Sequence, residues 1–359
     1  MTVAVLKAGG GARRPGVVPV LLALAVLAAV AGLVGLALGP LRIGLADMLA
    51  AVAHRLGLAD AGVAPQEEAV LFAIRLPRVL LSLAVGAALA ASGAAMQGLF
   101  RNPLADPGLV GVSSGAALAA VATIVLGDKV LHLLDAAARS WALPAAAFVG
   151  GLAATELVRR FGLRDGQASV ATILLAGVAI NALCAAGIGF LTFVADEQQL
   201  RSLVFWTMGS LGAATWTALP LALPLIVIPT ILIMRTTRAL DAFALGEREA
   251  AHLGVDVERL KRRLLILVAL ATSASVSVCG IIGFVGLVVP HLLRLACGPG
   301  HRLVLPGAAL LGAALLTAAD LAARLAVAPA ELPIGVVTAL VGGPFFLWLL
   351  VRRLRLADS

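Results

Sequence analysis

Long uncharged apolar blocks alternate along this chain with short charged clusters, and the blocks are too continuous to be the one-sided stripe of a soluble helix. A bilayer core takes about 20 apolar residues per helix. The blocks predict ten spans, at residues 17–38, 78–98, 110–126, 142–158, 169–194, 212–234, 264–280, 284–297, 303–323 and 333–351. Several are short or interrupted by Gly and Pro. Small residues crowd others, as at 86–97, 111–116 and 307–313, a composition that lets helices approach closely in lipid. The predicted fold class is all-α, a polytopic membrane protein of about ten transmembrane helices in one domain over residues 1–359. The first block follows Lys7, Arg13 and Arg14 as a signal peptide would, but it is long and lacks a small-residue cleavage site, so it reads as a retained helix.

Composition agrees, since 61% hydrophobic and 13% charged residues cannot coat a soluble globule of 359 residues. Alternating the spans from a cytoplasmic N-terminus puts 19 of the 27 Lys and Arg inside, which the positive-inside rule favours. Both termini then lie in the cytoplasm. The net charge of +8 is therefore a topology signal. No basic, aromatic-interleaved domain argues for nucleic acid. Cys184, Cys279 and Cys297 fall in or beside apolar spans, and the five histidines form no metal-ligand pattern, so no metal site is predicted. A nucleotide-binding P-loop needs glycines before a lysine. The lysines are Lys7, Lys129 and Lys261, none of them preceded by glycine. The chain is not itself an ATPase of that type.

Two polar stretches of about thirty residues remain, Arg42–Arg75 outside and Arg235–Arg263 inside. The inner one holds Leu245, Gly246, Glu247, Ala250, Leu253 and Gly254 in a helix-prone context, followed by Glu258, Arg259 and Lys261. It reads either as a solvated topology loop or as a surface on which a partner docks. Arg101–Gly108 reads as a helix stop and restart at the inner face, with Asp106 available as a cap. Gly280–Arg294 reads as a glycine-broken outer turn feeding a short helix. Arg75-Leu-Pro-Arg78 and Glu331-Leu-Pro-Ile-Gly335 open similar apolar blocks, which suggests an internal repeat of inverted topology.

Taken in order, Arg75–Arg78, Gln97, Arg101–Pro107, Leu175–Val178, Trp206–Leu211, the charged inner loop, Gly283–His291, Asp320–Arg324 and Glu331–Gly335 resemble the FecCD family, permeases of type II binding-protein-dependent ABC importers for iron-siderophore, haem and cobalamin. The resemblance runs from about Arg75 to Leu350. It implies the ten-span fold of the cobalamin permease and a homodimer with its substrate path on the two-fold axis. It also implies two separate ATPase subunits that use the ATP, a periplasmic substrate-binding protein, and residence in the bacterial inner membrane among its lipids. Residues of about 240–262, with Leu245, Gly246, Glu247, Ala250, Leu253 and Gly254, match the family's ATPase-coupling helices. Arg75, Arg78 and Arg324 match positions that present arginines to acidic residues of the binding protein. The segments 196–210, 329–335 and 343–348 look most like the haem permeases, so haem is the expected cargo, with ferric siderophore or cobalamin as alternatives. The resemblance implies no covalently bound cofactor and no catalytic residue. An ion-driven secondary transporter would need ionisable groups at mid-membrane, and a membrane enzyme a catalytic constellation inside the spans.

Overall fold

The computed structural model describes residues 16–41, 43–58, 64–127, 135–164 and 167–357. Lys7, Arg13, Arg14, Arg42 and Lys129 lie outside them. The helices are α1 (Val17–Ala37), α2 (Leu45–Arg55), α3 (Pro65–Ala69), α4 (Leu76–Leu99), α5 (Val112–Leu126), α6 (Ala136–Phe161), α7 (Val170–Val194) and α8 (Glu197–Met208). They continue with α9 (Leu219–Met234), α10 (Thr237–Phe243), α11 (Glu247–His252), α12 (Val257–Cys279), α13 (Val285–Cys297), α14 (His301–Leu325) and α15 (Ile334–Ala357). One two-residue hairpin pairs Leu163–Arg164 with Gln167–Ala168.

Ten of these helices, α1, α4 to α7, α9 and α12 to α15, coincide with the ten predicted spans. Among the described residues, six helices are long and apolar enough to cross a membrane, and α9 with α10, bent by 50°, makes a seventh. α5, α13 and residues 334–348 are shorter apolar helices. The polar stretches are also helical, which the spans alone did not predict. α8 begins with a reciprocal cap: Gln199 N–H donates to Asp196 Oδ1 at 2.8 Å, and Asp196 N–H to Gln199 Oε1 at 3.1 Å. α3 runs through a π-helical stretch at Val70–Arg75 straight into α4. There the Trp216 indole N–H donates to the Phe72 carbonyl at 2.7 Å.

α4 is the central helix, buried along almost its whole length and packed by α14, α13, α9 and α12. Its small residues make this possible. A Cβ built on Gly86 would lie 2.8 Å from both the Gly312 carbonyl carbon and Leu316 Cβ, so α4 and α14 cross backbone to backbone. One turn away, the Ser82 and Thr317 hydroxyls meet at 2.8 Å. α5 and α6 cross in the same way, since a Cβ on Gly115 would sit 3.2 Å from the Gly150 carbonyl carbon.

The order long, short, long, long occurs twice, in α4 to α7 and in α12 to α15. Each short helix starts from a left-handed residue: Gly111 (φ +82°) before α5 and Phe284 (φ +68°) before α13. This order pairs α4 with α12, so the Arg75 motif before α4 and the Glu331 motif before α15, which the sequence matched, do not stand at equivalent places.

Gly86→Val should force α4 from α14 and lower the stability of the purified subunit by about 1–3 kcal/mol or more. Gly189→Ala, where a Cβ meets nothing within 4 Å, should leave it unchanged. Thermal unfolding in mild detergent measures both.

Candidate functional site

The charged stretch folds into α10 and α11. α10 is anchored from below, because Leu240 and Phe243 are fully buried and the Arg101 guanidinium lies 5.7 Å over the Phe243 ring. Asp241 accepts from His301 at the start of α14, through the backbone N–H at 2.8 Å and at the ring Nδ1 at 2.9 Å. Leu240 and His301 both close on Gly98, at the end of α4. This surface is therefore joined to α4 and α14 together.

α11 is a single short helix set between two glycines of positive φ, Gly246 at +136° and Gly254 at +83°, a conformation that glycine adopts at little cost. Ala250 is fully buried beneath it. Glu247 is half-buried and leans toward α12. Its Oε2 lies 2.8 Å from Lys261 Nζ, which Glu258 also meets at 3.0 Å, and Lys261 is only 2% exposed. The outward face of α11 and its flanks instead carries Leu245, 67% exposed, and Leu253, 63% exposed, with Arg248 and His252. Lys261 was absent from the predicted site. Its signal was that it is the single lysine in a loop of arginines, and an ammonium fits a buried two-carboxylate pocket as a compact charge.

The two interrupted motifs, assigned by the sequence to opposite faces, meet inside the bundle. The 105–111 segment and the start of α13 both run back into it, and a Cβ on Gly286 would lie 3.1 Å from Asp106 Oδ2 and 3.4 Å from Pro107 Cδ. Gln97 on α4 donates to the carbonyls of Gly286 (3.4 Å) and Leu287 (3.2 Å), the first of which has Pro290, without an N–H, four residues on. Arg294 completes the knot on Gln97 Oε1 and the Ala94 carbonyl. Among the described residues, no three His, Cys, Asp or Glu side chains gather as a metal-holding group.

At the opposite end of α4, Arg75, Arg78 and Arg324 come together as the sequence grouped them, but not as free outward forks. They are 3%, 7% and 5% exposed. Arg78 Nε donates to both Asp320 oxygens at 3.0 and 3.1 Å, and its two terminal nitrogens hold Glu331 at 2.9 Å each. Arg324 pairs with Asp320 at 3.2 Å and donates to the Gly35 carbonyl at 3.1 Å. Arg75 donates to the carbonyls of Leu36 (2.6 Å), Ala37 (2.9 Å) and Leu41. Two of the three thus close the last carbonyls of α1, which have no partner within the helix. They are turned inward because Asp320 and Glu331 supply carboxylates for Arg78 and Arg324 from within the chain, and the end of α1 supplies carbonyls for Arg75. Asp320 and Arg324, four apart in an apolar span, were the readable sign of an internal pair.

A helical membrane bundle whose interrupted helices meet inside it, with a short charged helix pair on one face, is the architecture of a permease. The chain matches the FecCD transport family over residues 26–352 and belongs to that family. It is 52% identical over 280 residues to the hemin transport system permease protein HmuU of Yersinia pestis, covering 78% of this chain and 82% of that one. It is 44% identical over 292 residues to the cobalamin import system permease protein BtuC of Halobacterium salinarum, covering 81% of this chain and 76% of that one. A solved structure described as an inward-facing conformation of a metal-chelate type ABC transporter superposes with a TM-score of 0.80 at 30% identity, covering 93% of this chain and 99% of that one. The chain is the permease component of an ABC importer.

Asp320→Asn would leave Arg78 and Arg324 with one neutralising carboxylate, Glu331. Removing one partner of a buried charge set costs about 3–5 kcal/mol. The expected result is a marked fall in the unfolding temperature of the detergent-solubilised subunit, larger than for Glu331→Gln, whose carboxylate is 45% exposed.

Proposed function

We propose that this permease carries haem into the cytoplasm across a bacterial inner membrane, as one of two identical subunits served by two ATPase subunits and a periplasmic substrate-binding protein. The greater identity to the hemin permease than to the cobalamin permeases, 52% against 44%, carries the choice of cargo. Large apolar side chains on α7 and α8 support it, since Phe190, Phe193 and Phe205 are 67%, 86% and 66% exposed and a flat aromatic macrocycle slides well over such faces. With Leu175 and Leu183 on α7, they leave a face for the second copy and the path between the copies.

α11 is the ATPase contact in this reading. Leu245 and Leu253 enter a hollow on the partner, and Glu247 holds the helix in place through Lys261. ATP-driven closure of the partners pushes α10 and α11, and the Asp241–His301 and Gly98 contacts pass the push to α4 and α14. The basic face then lies in the cytoplasm, with both termini. An ion-driven cycle finds little support, because Asp320 in the spans is already held by Arg78 and Arg324.

Uptake into proteoliposomes holding permease, ATPase and binding protein tests the cargo: haem should accumulate with ATP, and uptake of cobalamin or a ferric siderophore in its place would overturn the choice. Glu247→Lys, which sets a second cation against Lys261, should abolish ATPase co-purification and lower transport at least tenfold. Lys261→Met with Glu247→Gln, which removes both charges, should recover part of each. Wild-type behaviour of Glu247→Lys would return the segment to a topology loop.

A further inference from the structure

On the basic face, a groove of about 490 Å³ opens between the α9–α10 bend, the turn at 253–256 and the start of α12, and four arginines line it. Arg235 directly follows Met234, the last residue of α9, and Arg263 directly precedes Leu264 and Leu265 of α12. Both therefore stand where the apolar part of a span ends. That is the level of lipid headgroups. Arg238 and Arg259 lie about one helical turn further from the apolar core, so two arginines on each side face a common space. The single acid in the lining is Asp256, which is bound to Arg259 at 2.8 Å. Among the described residues, Arg235, Arg238 and Arg263 form no ion pair, and all four arginines are exposed. The remaining wall is largely apolar, with Ala239, Val255 and Leu260.

A concave surface that gathers three uncompensated guanidiniums is relieved by an anion, and the planar fork matches the oxygens of a phosphate. The apolar wall suits the glycerol and acyl carbons that a phosphodiester brings with it. We propose that this groove seats the phosphate of an anionic phospholipid from the surrounding leaflet. A lipid fits better than an acidic partner protein because Arg235 and Arg263 sit at the apolar boundary. Leu253 and Gly254, at the end of α11, form part of the same lining. A seated headgroup therefore touches the turn that closes α11 and holds it against α12. The site rests only on this chain's arginines and stands whichever cargo is carried.

Native mass spectrometry of the full permease–ATPase complex, stripped of lipid and then given phosphatidylglycerol or phosphatidylcholine, reads occupancy. The expected result is selective retention of phosphatidylglycerol, reduced at least tenfold by R238Q/R259Q and unchanged by R302Q, an exposed arginine of the same face outside the groove. The variant R235K/R238K/R259K/R263K keeps the inside charge needed for insertion and should retain an intermediate amount. Equal retention of both lipids, or wild-type retention by R238Q/R259Q, overturns the proposal. So does displacement of the lipid by millimolar inorganic phosphate, which would mark a free-anion site. Loss of the ATPase subunit from lipid-free R238Q/R259Q, with phosphatidylglycerol retention intact, would assign the groove to a protein partner instead.

Discussion

α4 and α14 touch backbone to backbone at Gly86 and Gly312, and the rest of the bundle is arranged around that contact. In lipid, apolar side chains gain little by leaving one apolar environment for another, so close packing and polar contacts between helices must supply the association. Two glycines remove every atom that would keep the helices apart, and the Ser82–Thr317 hydroxyl pair adds a polar contact one turn away. The same two helices are joined at one end by Arg78 and Asp320, and at the other by the meeting of Gly98 and His301. They are thus held together at both ends and in the middle.

The basic face is tied to that pair. α10 is fixed to α14 through Asp241 and to the α4–α5 connection through Arg101 over Phe243. α11 hangs from α12 through Glu247 and Lys261. Between the two glycines that flank it, α11 is tied down at Ala250 and Glu247, so the segment meets the bundle through a few defined contacts. The interrupted helices are built differently, because where Asp106, Gly286 and Gln97 meet, regular backbone bonding gives way to side-chain bonds.

The ten spans were legible because a helix in lipid must be apolar on nearly every side, and continuous apolar blocks leave little ambiguity. The helical character of 45–55 and 197–208 was not, since those residues satisfy water on one side. Only the Asp196–Gln199 spacing gave a local sign of a helix start. The grouping of Arg75, Arg78 and Arg324 was legible from the family's motifs. Their burial was not: whether a guanidinium faces water or a carboxylate depends on Asp320 and Glu331, which lie far away in the chain. The ion pair of Glu247 was not legible either, because sequence spacing does not reveal that Lys261, fourteen residues on, is buried beneath it.

The Arg78–Asp320 pair joins residues 242 positions apart, and this separation sets an order of biosynthesis. At ribosomal speeds of roughly 5–20 residues per second, about 12 to 50 s pass between the emergence of α4 and of the carboxylate that neutralises its first turn. Through that interval the first turn of α4 carries a guanidinium without its buried carboxylate. Standing in the first turn, it can reach headgroups or water until Asp320 arrives. The ion pair at the head of the central helix is thus a late event, closed only once α14 has been made.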